Sequence, residues 1–191
     1  MSGARDILNF WFADGPDSFR PAWFQRDDAF DAEIRQRFGT LVLPARQGEL
    51  DSWADTAEGA LALVLVLDQF PRNLFRGTPE AFASDEHARK VARQAVLQRR
   101  HDLATGPVAR SFFYLPFEHG EALADQDLSV ALFEGLRDHT PSRAPGGVID
   151  YAWRHRQVIS RFGRFPHRNQ TLRRSNTPAE ETYLSQPGSG F

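Results

Sequence analysis

Ala60-Leu61-Ala62-Leu63-Val64-Leu65-Val66-Leu67 is the longest unbroken apolar run in the chain, and its reading decides the fold. On pattern alone eight apolar residues suit a buried strand as well as a buried helix. The flanks choose between them. Asp55 with Glu58 three positions later has the form of a helix start, and the segment from Thr56 to Gln69 spans about 14 residues, longer than strands usually run. The reading is a helix that is apolar all round, hence buried on every side, and that ends before Pro71. The run is also far short of the roughly 20 apolar residues that cross a bilayer.

Outward from this helix the spacing stays helical. Towards the N-terminus it predicts a helix over 4–13, a turn at Gly15-Pro16, a helix over 27–38 carrying Phe30, Ile34 and Phe38 on one stripe, and a short helix within 41–54. Towards the C-terminus Ser84 reads as the cap of a helix running to about 100, whose thin stripe is Ala88, Val91, Ala92, Ala95 and Val96. Gly106-Pro107 opens the next helix, with proline at its first position and an expected kink at Pro116. Then come a helix over 126–139, a Pro/Gly-rich loop over 141–147, and a helix over 148–164 with Tyr151, His155, Ile159 and Phe162 on one stripe. Thr177-Pro178-Ala179-Glu180 is a capping box opening a last helix to about 184, and the tail 185–191 is expected to fray. No stretch shows the sustained alternation of a strand, so the fold class is all-α, and the 191 residues fit one domain.

Composition narrows the chemistry. There is no cysteine, which excludes thiolate nucleophiles, redox pairs and cysteine-bearing metal sites, and gives no reason for an oxidising compartment. With no secretory signal in the first residues, the cytoplasm is the expected location and no membrane partner is expected. The net charge of −2 argues against nucleic acid as a partner. Lys90 is the only lysine, so the basic charge is almost all arginine, either by compositional bias or because bidentate anion recognition needs the guanidinium.

Two stretches echo one another: Phe70-Pro71-Arg72-Asn73 followed by Thr78-Pro79-Glu80, and Phe165-Pro166-His167-Arg168-Asn169 followed by Thr177-Pro178-Ala179-Glu180. Each has the chemistry of a helix stopped at Phe-Pro, an arginine–asparagine loop and a new helix with proline at its first position. They lie 95 residues apart, so they do not establish the roughly 34-residue period of a tetratricopeptide array.

Several blocks in one order carry a family resemblance. Phe10-Trp11-Phe12 with Trp23-Phe24, Asp68-Gln69-Phe70-Pro71-Arg72-Asn73, Tyr114-Leu115-Pro116-Phe117-Glu118-His119, and His155-Arg156 through Arg161-Phe162-Gly163-Arg164-Phe165-Pro166-His167-Arg168-Asn169 resemble family 924 of the domains of unknown function over nearly the whole chain. The resemblance implies a tetratricopeptide-like α–α superhelix of stacked antiparallel helix pairs. It implies no mechanism, because the family's activity is not established.

Two features could carry function. From Tyr151 to Ala179 there are seven arginines, two histidines and no acidic residue, a local positive potential in a nearly neutral chain. In one reading Arg72, Asn73, Arg156, Arg161, Arg168 and Asn169 line a concave face that receives an acidic peptide or a small anionic metabolite. In another the arginines pair with Asp68, Glu118 or Glu121 inside the helix stack. The second feature is Glu118-His119-Gly120-Glu121, just beyond Pro116, where carboxylates at i and i+3 share a face. Glu118 or Glu121 beside His119 or His155 could serve as general acid or base in a small-molecule hydrolase or lyase. The Glu-x-x-His pairs of di-iron bundles are missing, and neither a P-loop nor a nucleophile elbow is present, so no metal or cofactor is expected. The oligomeric state, the ligand, and whether the two Phe-Pro stretches share one pocket are left open by the residues.

Overall fold

The ambiguous apolar run is helical and sits at the centre of the molecule. In the computed structural model, which describes residues 3–190, one helical run (α4, residues 57–74) comprises an α-helical turn set Ala57–Val64, a wider π-helical step Leu65–Gln69 and a closing α-helical turn Phe70–Leu74. Every residue from Gly59 to Pro71 is buried, as the all-round apolar pattern demands. The cap is Thr56 rather than Asp55: the Thr56 hydroxyl accepts from the Gly59 N–H at 3.1 Å, while Asp55 accepts from Arg99.

The helix passes through Pro71 instead of ending before it. A proline inside a helix strips the carbonyl four residues back of its donor. Here that carbonyl belongs to Leu67, and the Ser84 hydroxyl donates to it at 2.6 Å. The Arg72 guanidinium donates to the next carbonyl, Asp68, at 2.7 Å, and the π step routes the Phe70 N–H to Leu65. Ser84 therefore occupies the capping position of its own helix without its side chain capping it. With no break at Pro71, Asp68, Gln69 and Arg72 stand on a rigid element.

The other helices are α1 (Ala4–Trp11), α2 (Asp28–Phe38), α3 (Val42–Arg46), α5 (residues 85–98, with a π step at Gln94–Gln98), α6 (Pro107–Glu118), α7 (Leu123–Glu134), α8 (Thr140–Arg143), α9 (Val148–Phe162) and α10 (Pro178–Leu184). α1, α5 and α6 pack on α4; α6 and α7 form a pair joined by a four-residue connection; α9 lies along α7. The described residues contain no strand, and the stacked helix pairs are compatible with a tetratricopeptide-like superhelix. α7 begins three residues earlier and ends five earlier than its spacing predicted. Gln126, fully buried, donates to the Glu118 and Gly120 carbonyls at 2.6 and 2.7 Å, so it caps α6 from within α7. On α9 the buried stripe is Ile149, Ala152, His155, Val158 and Ile159; Tyr151 is exposed and Phe162 only partly buried. Beyond Leu184 the chain forms no further helix through Gly190; Phe191, at the end of the tail expected to fray, lies outside the described residues, as do Met1 and Ser2.

One buried apolar cluster runs from Ile7 to Ala152, with Trp11 at its hub, 5.4–5.9 Å from the rings of Trp23, Phe30, Phe70 and Phe112. Val158, Ile159 and Phe165 form a second, smaller cluster with Phe162 and Tyr183. Among the described residues no helix is long and apolar enough to cross a membrane.

Two substitutions test this account of α4. Ser84→Ala leaves the Leu67 carbonyl buried and unbonded and is expected to cost about 1–3 kcal/mol in chemical denaturation. Gly59→Ala places a methyl 2.1 Å from the Trp53 carbonyl oxygen and is expected to cost a similar amount, about 1–3 kcal/mol, by overpacking. An unchanged denaturation midpoint for Ser84→Ala would show that the proline-freed carbonyl has another partner.

Candidate functional site

The π step of α4 delivers a carboxylate, Asp68, into the protein interior with none of its surface exposed. A buried charge must be paired. Asp68 Oδ1 accepts from His119 Nδ1 at 2.8 Å and lies 3.3 Å from the Arg72 guanidinium, and Oδ2 accepts from Gln69 Nε2 at 2.6 Å. Burial works to raise the Asp68 pKa, but Arg72 and His119 outweigh it and hold the carboxyl well below the usual range. Arg72 then grips Asp85, in the first turn of α5, through two hydrogen bonds of 2.8 and 3.0 Å.

His119 stands at the C-terminus of α6. Because its Nδ1 faces a carboxylate, the ring proton sits there, which leaves the lone pair on Nε2. Burial, with Arg72 behind it, lowers the His119 pKa despite Asp68, so the imidazole is neutral near pH 7. The arrangement is that of an oriented base: a carboxylate fixes the tautomer and stands ready to stabilise the imidazolium.

Glu118, one residue earlier and 4% exposed, meets a different environment. Its Oε1 lies 3.4 Å from His155 Nδ1, and its Oε2 is buried with no hydrogen-bond partner among the described residues. Burial, with the negative charge of Asp68 adding to it, pushes the Glu118 pKa up to about 8. His155 donates from Nδ1 to the Tyr151 carbonyl at 2.8 Å, and burial holds its pKa well below the ordinary value. Near neutral pH the Glu118–His155 contact is thus between a protonated carboxyl and a neutral imidazole, not an ion pair.

Arg168 closes the cluster from the turn Pro166–Arg168. Its Nη1 donates to the His119 carbonyl at 3.0 Å and lies 3.7 Å from Asp85, and its guanidinium carbon sits 4.8 Å from the Phe82 ring centroid and 4.4 Å from that of Phe165. Burial, followed by the nearby charge of Arg72, brings its pKa down to about 10, which leaves it charged at neutral pH.

Five of the residues singled out from sequence therefore meet here: Glu118, His119, His155, Arg72 and Arg168. The two Phe-Pro stretches converge, through their arginines, on Asp85. The others lie elsewhere. Glu121 accepts from Arg174 at 2.7 and 3.0 Å and from the Phe165 N–H at 2.8 Å. Asn73 donates to Asp31 on α2, Arg156 to Asp127 on α7, and Asn169 to Asn176, while Arg161 lies over the Phe162 ring. Sequence reasoning left Asp85, Gln69 and Phe82 out of the site and gave Asp68 no catalytic part. Asp68 had a signal: it is the charged residue that directly follows the apolar run. Among the described residues no group of three or more metal-ligating side chains could hold a metal ion.

Residues 7–188 match the model of a family described as bacterial protein of unknown function, DUF924. The chain belongs to that family. Within reach of the same fold is the solved structure of the protein of unknown function ATU0120 from Agrobacterium tumefaciens, 44% identical, with a TM-score of 0.84 over 95% of this chain and 96% of that one. No curated protein matches. For this DUF924 chain, family membership supports the architecture, and the chemistry must be read from the buried cluster.

The cluster makes stability depend on pH in a defined way. Unfolded, Glu118 ionises near its ordinary 4.5; folded, it holds its proton to about 8, so between these values folding takes up a proton and stability falls as pH rises, by at most about 1.4 kcal/mol per unit. His155 acts in the opposite sense and weakens the fold as pH drops below its ordinary 6.5. In denaturant titrations across this range, Glu118→Gln is expected to gain stability relative to the wild type progressively up to about pH 8 and to level off above it. A pH-independent difference would mean that Glu118 is ionised in the fold.

Proposed function

We propose that this cluster is an acid–base site and that the protein is a small-molecule enzyme of hydrolase or lyase type. The observation that carries the reading is Glu118 Oε2: a buried carboxyl oxygen with no hydrogen-bond partner among the described residues, beside a histidine already oriented by a carboxylate. A carboxyl that holds nothing together costs stability on burial, whereas a carboxyl kept protonated near neutrality can give up that proton to a leaving atom.

The roles follow from the protonation states. His119 Nε2, carrying the lone pair, takes a proton from water or from a substrate C–H, and Asp68 stabilises the imidazolium that results. Glu118 supplies a proton to the departing group, and the proton that His119 took up goes back to Glu118 through solvent between turnovers, so the cycle closes with both groups in their starting states. Two neighbouring carboxyls whose surroundings drive their pKa values apart, one far down and one up to about 8, are the pattern that separates a charge-bearing from a proton-donating group. The other reading, an acidic peptide laid across Arg72, Asn73, Arg156, Arg161, Arg168 and Asn169, asks more of the molecule. It requires breaking the Arg156–Asp127 and Asn73–Asp31 bonds and gathering residues that the fold sends to different helices.

The test has two arms. The first is the carbon-13 signal of the Glu118 carboxyl, expected to titrate near 8; titration near 4.5 ends the proposal. In the second, small esters, amides and β-substituted acids are incubated with the protein and followed by NMR, with His119→Gln and Glu118→Gln as controls of verified fold. Turnover is expected to fall on the order of 10²–10⁴-fold in each variant. Activity that survives both substitutions would remove the site from the chemistry.

A further inference from the structure

Arg168 is 6% exposed, yet of the five N–H donors of its guanidinium one makes a hydrogen bond to a described residue, the His119 carbonyl. The guanidinium offers donors along two edges in one plane. Nη1 is engaged by the His119 carbonyl and faces Asp85. On the other edge Nε is buried without a partner, and Nη2 makes no hydrogen bond to any described residue. The Nε–Nη2 edge is the fork that matches two coplanar oxygens. The phenyl rings of Phe82 and Phe165 lie against the guanidinium, which leaves its edge as the way for an acceptor to approach.

Charge points the same way. Asp68 and Asp85 balance Arg72 and Arg168, while Glu118, His119 and His155 are neutral near pH 7. The balance is uneven in space: Arg72 holds Asp85 at 2.8 and 3.0 Å, whereas the same carboxylate is 3.7 Å from Arg168. Arg168 is thus a buried cation whose nearest counter-ion is committed to its neighbour. An added monoanion would leave the cluster with one negative charge in excess and a dianion with two, so the smaller charge is the less costly to bury beside Arg168.

We infer that the Nε–Nη2 edge of Arg168 is the seat of a carboxylate, and that the protein's ligand is a small monoanionic carboxylic acid. A planar carboxylate can meet both donors between the flanking rings, and as a monoanion it adds the least charge to a cluster whose aspartates and arginines already balance. A phosphate dianion brings a tetrahedral group and a second charge. What the ligand is for rests on the acid–base reading above, since Arg168 is bonded to the backbone of the proposed base and so positions a carboxylic acid beside His119; the seat itself does not depend on that reading.

The experiment follows the Arg168 Nε–H signal in nitrogen-15-labelled wild-type protein during titration with acetate, propionate and lactate, and separately with inorganic phosphate and chloride. The carboxylates are expected to move that signal saturably and to raise the melting temperature, and phosphate and chloride at equal concentration to do neither. Arg168→Lys, which keeps the charge and loses the fork, is expected to weaken carboxylate binding at least 10-fold; should that variant not fold, the wild-type titration decides alone. An unmoved Arg168 signal with every acid overturns the inference, as does an equal response to phosphate. Carboxylate binding without turnover of any carboxylic acid would sink the enzyme reading and leave the seat standing, whereas turnover of substrates that carry no carboxylate, with Arg168 unmoved, would do the reverse.

Discussion

The structure is organised around one costly fact, a fully buried carboxylate at position 68 on the central helix. An isolated charge there would not be tolerated, so Asp68 has to be met by cations and donors from whatever packs on α4. His119 comes from the end of α6, Arg72 from one turn further along α4, and Gln69 from the adjacent position. Each partner then needs its own: Arg72 draws in Asp85 from α5, and Asp85 in turn attracts Arg168 from beyond α9. One charge placed in the core thereby fixes the mutual register of four separate segments. It also explains why the helix has to survive Pro71, since a break there would swing Arg72 away from Asp68 and Asp85.

Helix content was legible in the sequence because it rests on local rules. The run from Ala60 to Leu67, the stripe Phe30-Ile34-Phe38 and the capping box at Thr177 each carry their structure in the spacing of a few residues. The misjudged points were those where a distant side chain overrides a local rule. Pro71 stops a helix only when its freed carbonyl goes unpaired, and Ser84, thirteen positions on, supplies the pairing. The start of α7 was misplaced for a related reason. Gln126 looks like a helix beginning in sequence, but it is an interior position whose amide reaches back to close α6.

The site was half legible. Glu118, His119 and His155 stood out as titratable residues near a proline or on an apolar stripe, and their convergence needed only that α6 and α9 be neighbours. The arginines could not be sorted in this way. Seven of them crowd the stretch 151–179 with nothing local to separate one from another; what distinguishes Arg168 is the acceptor it lacks, whereas Arg156, Arg164 and Arg174 have carboxylates on other elements. Positive potential read from sequence is therefore a poor guide to binding here, because most of it is neutralised by folding.

Those neutralised arginines still bear on the site through geometry. Arg174 ties the C-terminal segment to Glu121 just past α6 and also donates to the Phe165 carbonyl and to Asn169, while Arg164 holds Glu180, whose carboxylate closes the capping box of α10. Together these bonds hold the turn Pro166–Arg168 on both sides. Arg168 is thereby presented to His119 by a braced frame rather than a free loop, which is what positioning within a fraction of an ångström requires. The second Phe-Pro stretch consequently has a different task from the first. Phe70-Pro71 lies inside a helix and aims Arg72 at Asp68 and Asp85, whereas Phe165-Pro166, after the left-handed turn at Gly163, sets Arg168 against Asp85 from outside the helix, with one edge left over. The similarity of sequence conceals a division between a cation that holds the fold together and a cation that the fold leaves available.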